Sequence, residues 1–250
     1  APLTRIQVGG GSYGTFEGRV FHQDRRNNIN YFFGASLVRS DYTDYGTRDS
    51  WLAILDDPQY LKIKLYAKLT YLFDRNDHRL SLFAHHAGHT GDAGRPNRDF
   101  DHRYGTVNLA YSNRISERLH LQVKAGFRDY DRRWAEDRHP IDLALREHDG
   151  VRQMVIPADA TLSVNHWGKS LFTAGVDGQV ATFRSYAEVD GASETGQKVT
   201  AFSVGVFLQE KLVLGPWVMR VGGRFHHTGH AYDIFAGAIP QRQHNAWESF

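Results

Sequence analysis

The sequence has no cysteine, which excludes disulfides, thiolate zinc sites, iron–sulfur clusters and cysteine nucleophiles together. It also has little net charge: 30 basic and 28 acidic residues leave +2, and no basic run stands out, so no nucleic-acid surface is expected. Long apolar runs are missing as well, and the mean hydropathy is −0.51, which excludes a membrane-spanning helix. A membrane β-barrel is not excluded, because its lipid face is built from alternate residues.

Sequence signatures of enzymes are absent too. The chain has no nucleophile elbow, no phosphate-binding loop and no two-histidine metalloprotease helix. Gly9 to Gly11 is not followed by a helix, so this stretch does not predict a dinucleotide site. We therefore expect no catalytic residues, no cofactor and no protein-held metal.

The segments that are present alternate with a period of two. From Leu61 to Phe73, apolar residues alternate with lysines, tyrosine and threonine, as in a strand with one apolar and one wet face. Similar or weaker patterns predict about eleven strands and no helix. The predicted strands are 3–10, 14–24, 29–40, 61–73, 79–87, 104–113, 119–127, 153–165, 170–184, 199–211 and 217–225.

The connections between these strands alternate between short and long. Short, polar turns are expected near 24–28, 74–78, 113–118, 165–170 and 211–216, and long polar connections near 41–59, 87–103, 129–152, 186–198 and 227–250. Strand alternation alone would also fit a soluble β-sandwich. Short turns at one end and long loops at the other favour an antiparallel transmembrane barrel.

Two stretches carry a resemblance to a known family. Val8–Thr15 reads VGGGSYGT and leads through a strand and a charged turn to NYFFGASLVR at Asn30–Arg39. Val206–Phe225 reads VFLQEKLVLGPWVMRVGGRF, a hairpin with Gln209, Glu210 and a Gly215 turn that ends in Gly-Arg-Phe. Together with the strand and loop rhythm between them, these stretches resemble the barrel of TonB-dependent outer-membrane receptors.

The resemblance implies a larger, 22-stranded barrel. We therefore expect residues 1–250 to be the N-terminal half of the barrel domain, with the plug domain and the C-terminal strands outside this chain. It also implies a place in the outer membrane of a Gram-negative bacterium, in contact with outer-membrane lipid, the receptor's own plug and the TonB complex. The expected ligand is scarce and small: a ferric siderophore first, with haem or cobalamin as alternatives.

Candidate ligand-binding residues are placed in the long loops at the outer end of the barrel. They are His85, His86, His89, Arg95, His102, Arg133 and Trp134. Imidazoles suit metals and haem iron. However, His86 and His89 are three residues apart, a spacing that strand alternation would separate, so a merely polar loop is the alternative.

Lumen-facing cations are a second group of candidates, because they fall on the polar side of their strands. They are Lys62, Lys64, Lys68, Lys124, Arg220 and Arg224. Such residues would attract an anionic ligand. Alternatively, they pair with acidic residues of a plug.

Two other architectures remain open from the sequence. A self-contained barrel of about twelve strands would act as a passive channel, and a soluble β-sandwich would act as a binding module. Against the first, counting back in twos from Phe250 gives no apolar face, so residues 227–250 are expected to be loop without a twelfth strand. Pro157 lies within a predicted strand and is expected to mark a bulge or a sheet edge.

Overall fold

The computed structural model describes residues 2–41, 60–73, 77–92, 99–137, 145–189, 192–234 and 242–249. They form one antiparallel sheet in which each strand pairs with the next along the chain. The strands are β1 (Leu3–Gly10), β2 (Phe16–Arg26), β3 (Ile29–Ser40), β4 (Tyr60–Leu72), β5 (Arg79–Asp92), β6 (Asp99–Arg114), β7 (Leu119–Asp137), β8 (Leu145–His166), β9 (Ser170–Val189), β10 (Ala192–Leu214), β11 (Trp217–Ile234) and β12 (Arg242–Ser249). Within these ranges, no helix has the length and apolarity needed to cross a membrane.

The sheet has two chemically different faces. Because successive side chains point to opposite sides of a strand, Lys62, Lys64 and Lys68 share what we call the polar face. Leu61, Ile63 and the other odd residues of β4 share the apolar face. Register carries this division across the sheet, so the lysines of β4 lie level with His89, Ala87 and Phe83 of β5.

The apolar face is exposed across the sheet. Among the described residues, no hydrophobic side chain is buried, and the exposed fraction is 48% for Leu65 and 67% for Val221. One such residue from each of the first eleven strands is Val8, Val20, Phe33, Leu65, Leu82, Leu109, Val123, Ile156, Val176, Val206 and Val221. We call this surface the apolar band. A β-sandwich would bury one face of each sheet against the other, so the sandwich alternative is wrong.

All eleven predicted strands are present, and a twelfth follows them. The expectation that residues 227–250 form only a loop is wrong, because β11 continues to Ile234 and β12 pairs with it from His226↔Ser249 to Asp233↔Arg242. The pairing needs only backbone hydrogen bonds, so it does not require an apolar alternation that the sequence would reveal.

Strands are also longer than expected at the long-loop end. β5 runs to Asp92 and β6 starts at Asp99, so the connection expected over 87–103 shrinks to 93–98. In the same way, the connections expected over 129–152 and 186–198 shrink to 138–144 and 190–191. Both faces are polar there, which removes the period-two signal while the strands continue.

Tight turns close the opposite end of the sheet. β2 and β3 are joined by Asn27 and Asn28, with φ 49° at Asn27, and β10 and β11 by Gly215 and Pro216, with φ 60° at Gly215. Asparagine and glycine tolerate this left-handed conformation better than other residues. The short turns of the sequence-based prediction are therefore confirmed here.

Pro157 lies inside the sheet, at neither a bulge nor an edge. The β7–β8 ladder has no paired residues between Ala125↔Ala158 and Arg128↔Val155, and the register is the same on both sides of this gap. A proline cannot donate to a ladder, which explains the gap. Opposite it, a Cβ on Gly126 would lie 3.2 Å from Pro157 Cγ, so the facing glycine makes room for the ring.

The sheet is open in the described residues. There β1 pairs only with β2, and β12 pairs only with β11. A self-contained twelve-stranded channel would need β1 and β12 to pair with each other.

Candidate ligand-binding wall

One sector of the polar face has cations and no carboxylates. Counted up to Trp134, the polar-face positions of β4 to β7 carry eight Lys or Arg and no Asp or Glu among the described residues. The cations are Lys62, Lys64, Lys68, Arg79, Arg114, Lys124, Arg128 and Arg132. We call this sector the cationic wall. Near the short turns, side chains of β2 to β7 line a groove of about 700 Å³ that includes Lys68 and Arg79.

Most of these cations have no ion-pair partner within the described residues. Lys124 Nζ lies 3.6 Å from Asp159 on β8, and Arg114 Nε lies 3.1 Å from Asp77 in a turn. In the described part of the chain, Lys62, Lys64 and Lys68 contact no carboxylate at ion-pair distance. The wall therefore carries a positive field that its own residues do not neutralise.

The other two predicted cations lie on β11, away from this sector. Arg224 donates to Asp177 on β9 at 2.8 Å. Its counter-charge therefore comes from the sheet itself, and no acidic residue of a plug is required to supply it. Arg220 is exposed on the polar face, opposite Lys211 of β10.

Aromatic and imidazole rings cover the long-loop end of the cationic wall. On its upper row, the ring centroids of Tyr60 and His89 are 4.7 Å apart, those of His89 and Phe100 also 4.7 Å, and those of His102 and Trp134 5.4 Å. Because cross-strand neighbours on one face lie within ring contact, rings from four strands meet edge to face and form one continuous surface.

A second row of rings lies one step nearer the short turns. Tyr66 stacks on His85 at 4.9 Å, His85 meets Tyr104 at 5.7 Å, and Tyr104 meets Tyr130 at 6.2 Å. Arg132 joins both rows, with its guanidinium 5.1 Å from the Tyr130 ring and 5.0 Å from the Trp134 ring. The ten residues of the two rows, Arg132 included, are called the ring cluster below.

Three polar atoms of the ring cluster are buried without a hydrogen-bond partner in the described residues. They are Nε2 of His89, Nε2 of His102 and Nε of Arg132. Buried polar groups are nearly always satisfied, so the partners of these three atoms are expected to come from outside the described residues. The described residues contain no group of three or more His, Asp or Glu placed to hold a metal ion.

His102 lies beyond the apolar band, between Asp101 and Arg103, which are charged residues on the opposite face. Burial lowers the pKa of His102 below its ordinary value of 6.5, and the positive charge of Arg132 lowers it further, while Asp101 raises it. Burial and the neighbouring Arg132 charge thus both favour the neutral form of the His102 imidazole.

The seven ligand-binding residues predicted from sequence do not lie together. His85, His89, His102 and Trp134 belong to the ring cluster, whereas His86 lies on the apolar face of β5. The placement in loops is wrong for the residues that the structure describes, because they lie on β5, β6 and β7. Arg95 lies outside the described residues.

Arg133 is turned away from the ring cluster. It lies on the apolar face above the band, where its Nε donates to Tyr186 Oη at 3.0 Å, and Tyr186 donates to Asp131 at 3.1 Å. Burial raises the pKa of Tyr186 above its usual value, with the Asp131 charge adding to the effect, so the phenol keeps its proton. The three side chains hold β7 to β9 and leave Arg133 no path to the polar face.

The tyrosines and phenylalanine of the ring cluster were missed by the sequence-based selection of site residues. Tyr60, Tyr66, Phe100, Tyr104 and Tyr130 are spread over 71 residues of sequence, and strand register brings them together. The available signal was alternation: each shares its parity with a residue already selected on the same strand, namely Lys62 for Tyr60 and Tyr66, His102 for Phe100 and Tyr104, and Lys124 for Tyr130.

Comparison with solved structures finds the same fold in receptors and a transporter of metals or their complexes. The siderophore receptor PiuA from Acinetobacter baumannii aligns over 100% of this chain and 46% of its own, with a TM-score of 0.72 and 8% identity. The copper transporter OprC aligns over 99% of this chain and 41% of its own (0.70, 13%). BauA, the ferric preacinetobactin receptor from A. baumannii, aligns over 99% and 44% (0.67, 11%).

No family model and no curated protein matches the sequence. The resemblance to TonB-dependent receptor barrels is thus confirmed at the level of the fold. The chain spans less than half the length of the solved receptors that it matches.

Proposed function

We propose that residues 1–250 are the N-terminal half of the barrel wall of a TonB-dependent outer-membrane receptor that takes up a scarce, anionic metal complex. A ferric siderophore is the leading ligand, and haem or cobalamin are the alternatives. The observation that carries this proposal is the cationic wall: eight cations, six of them without an ion-pair partner among the described residues, capped by the ring cluster.

Electrostatics supports an anionic ligand. Cations that line one side of a low-dielectric cleft concentrate field lines and raise the local concentration of an anion. Rings at the entrance add stacking surface for an aromatic or otherwise flat ligand. A passive pore for general solutes has no need of either feature.

The apolar band supports a membrane location. Val176 is 51% exposed and Val206 50% exposed, and the two residues are direct partners on adjacent strands. Contact of such a continuous apolar surface with water would be unfavourable. Lipid contact on this face and water on the polar face are the arrangement of outer-membrane barrels. In that arrangement, the ring cluster faces the lumen at the outer end.

Two sheet edges support a larger barrel. The edge β1 is exposed along its whole length, and an unpaired edge is unfavourable inside a membrane. We therefore assign the missing pairing to further strands of the same receptor. The plug domain and the TonB complex enter as partners through the resemblance.

The test measures energy-dependent uptake of radiolabelled ferric complexes by cells producing the full-length receptor. Replacing Lys62 and Lys64 together by Gln should weaken the apparent affinity about tenfold, from about 0.8 kcal/mol for each charge at about 10 Å and an effective dielectric of about 40. Lys169→Gln removes an exposed lysine from the β8–β9 turn and serves as the matched control.

Uptake should stop when the proton-motive force is collapsed. Uptake that continues without it would indicate a passive channel and would contradict the proposal. An equal loss of affinity per lysine replaced in the Lys169 control would show that total charge, not the cationic wall, is responsible.

A further inference from the structure

His89 and His102 form a facing pair on the ring cluster. They are direct cross-strand partners on the polar face of β5 and β6, with ring centroids 5.9 Å apart and planes at 80°. Each ring has its Nε2 buried without a hydrogen-bond partner among the described residues. The strands therefore hold the two imidazole rings side by side, and no described protein group satisfies either Nε2.

We propose that His89 and His102 coordinate the metal of the transported complex directly, so that the ligand is an anionic metal complex with exchangeable coordination positions. This inference rests on the proposed uptake function and specifies its ligand. A siderophore that fills every coordination position of its metal would give these nitrogens nothing to bind.

The number of imidazoles favours a metal that arrives with its own ligands. Protein sites that hold a metal ion permanently supply three or four donors. Here the described residues offer two imidazoles and no third His, Asp or Glu in the same group. The remaining donors would come from the chelator, and imidazole suits copper, nickel, zinc and haem iron.

The charges around the pair select against a bare cation. Lys62 is the cross-strand partner of His89, and Arg132 is the cross-strand partner of His102. Two positive side chains beside the nitrogens repel a free metal ion and attract a complex whose chelator carries excess negative charge.

The neighbouring rings favour coordination by excluding water. Tyr60 and Phe100 each meet His89 edge-on at 4.7 Å, and Trp134 meets His102 edge-on at 5.4 Å. A bound metal would be screened from competing water on these sides, and a flat chelator would lie against the rings.

The test uses the full-length receptor without a polyhistidine tag, in detergent at neutral pH, with two anionic copper(II) chelates as probes. Copper(II) nitrilotriacetate leaves coordination positions open, whereas copper(II) EDTA is saturated. Electron paramagnetic resonance should show imidazole nitrogen coupling with the first probe and none with the second.

The variants are chosen to keep the fold while removing the lone pairs. His89→Phe and His102→Phe preserve a ring at each position but have no nitrogen, and each should weaken nitrilotriacetate-complex binding about tenfold or more. His86→Ala is the matched control, because it removes a histidine of β5 from the opposite face. It leaves 13 of the chain's 14 histidines in place, so it shows whether the loss of any one histidine weakens binding.

Nitrogen coupling that persists unchanged in the double His89→Phe, His102→Phe variant would overturn the inference, as would the absence of coupling in the unaltered receptor. Energy-dependent uptake of ferric complexes, with its dependence on Lys62 and Lys64, is measured separately. If that uptake persists while the copper signal is absent, the coordination inference fails and the proposed function stands.

Discussion

A charge placed in the apolar band gives the sharpest test of which face meets lipid. Val206 lies near the middle of β10, opposite Val176 of β9 and Phe225 of β11, and half of its surface is exposed on the apolar face. Replacing it by Arg removes about 1 kcal/mol of favourable transfer free energy of the valine side chain into lipid, half the value for a fully buried valine. Desolvation of the guanidinium brings the expected total to about 2–4 kcal/mol.

The assay is reversible unfolding of the full-length receptor in phospholipid vesicles, followed by tryptophan fluorescence. Val206→Arg should lower the folding equilibrium constant about 30- to 700-fold, since about 1.4 kcal/mol corresponds to tenfold. Gln209→Arg is the matched control: it lies on the same strand but on the polar face, and it should change stability by less than about 1 kcal/mol. Equal effects of the two substitutions would refute the assignment of faces.

Three further predictions address the long-loop end and the wall. Gly150→Ala should destabilise the receptor by about 1–3 kcal/mol in the same assay, because its Cβ would overlap the Tyr186 ring and displace that phenol from its network; unchanged stability would contradict this packing. Arg132→Gln should raise the pKa of His102 towards 6.5, since it removes a neighbouring positive charge, and a histidine-labelled NMR titration that finds no rise would contradict the electrostatic argument. Lys124→Met should cost less than about 1 kcal/mol because its ion pair with β8 is about half exposed, and a larger loss on chemical unfolding would mean that the pair is structural.

The sequence predicts this fold well where one face of the sheet is apolar. On β4, period two places Leu61, Ile63 and Leu65 on one side and Lys62 and Lys64 on the other, and the structure agrees throughout. Beyond the apolar band the signal disappears, because polar residues lie on both faces. The sequence therefore predicts a long connection from residue 129 onwards, although backbone pairing of β7 continues to Asp137.

The candidate site could be predicted only in part for the same reason. Single residues such as His89 and His102 were selected by their chemistry, but their pairing depends on register between β5 and β6. Parity alone would have separated His86 from His89 and Arg133 from Trp134. It would not have shown which residue of one strand faces which residue of the next, because turn and loop lengths set that register.

The segment Arg128–Trp134 shows how a strand separates charges of both signs, which are mixed in the sequence, onto its two faces. It reads RDYDRRW, and alternation sends Arg128, Tyr130 and Arg132 to the polar face and Asp129, Asp131 and Arg133 to the apolar face. On the apolar face, the carboxylates are satisfied, since Asp129 pairs with Arg152 of β8 at 3.2 Å and Asp131 accepts from Tyr186. These two carboxylates of β7 therefore lie on the other side of the sheet and do not neutralise the cationic wall.

A slip of one residue in the register of β7 would exchange its polar-face residues with its apolar-face residues. The cationic wall therefore depends on what fixes this register. Val123 and Phe127 fix it from the apolar face, where each is about 40% exposed in the apolar band and would otherwise lie on the polar face. Gly126 fixes it from the polar face, because any side chain at its position would meet Pro157 of β8. The register that keeps these apolar residues in the band therefore also keeps Arg128 and Arg132 on the polar face, where neither has an ion-pair partner among the described residues.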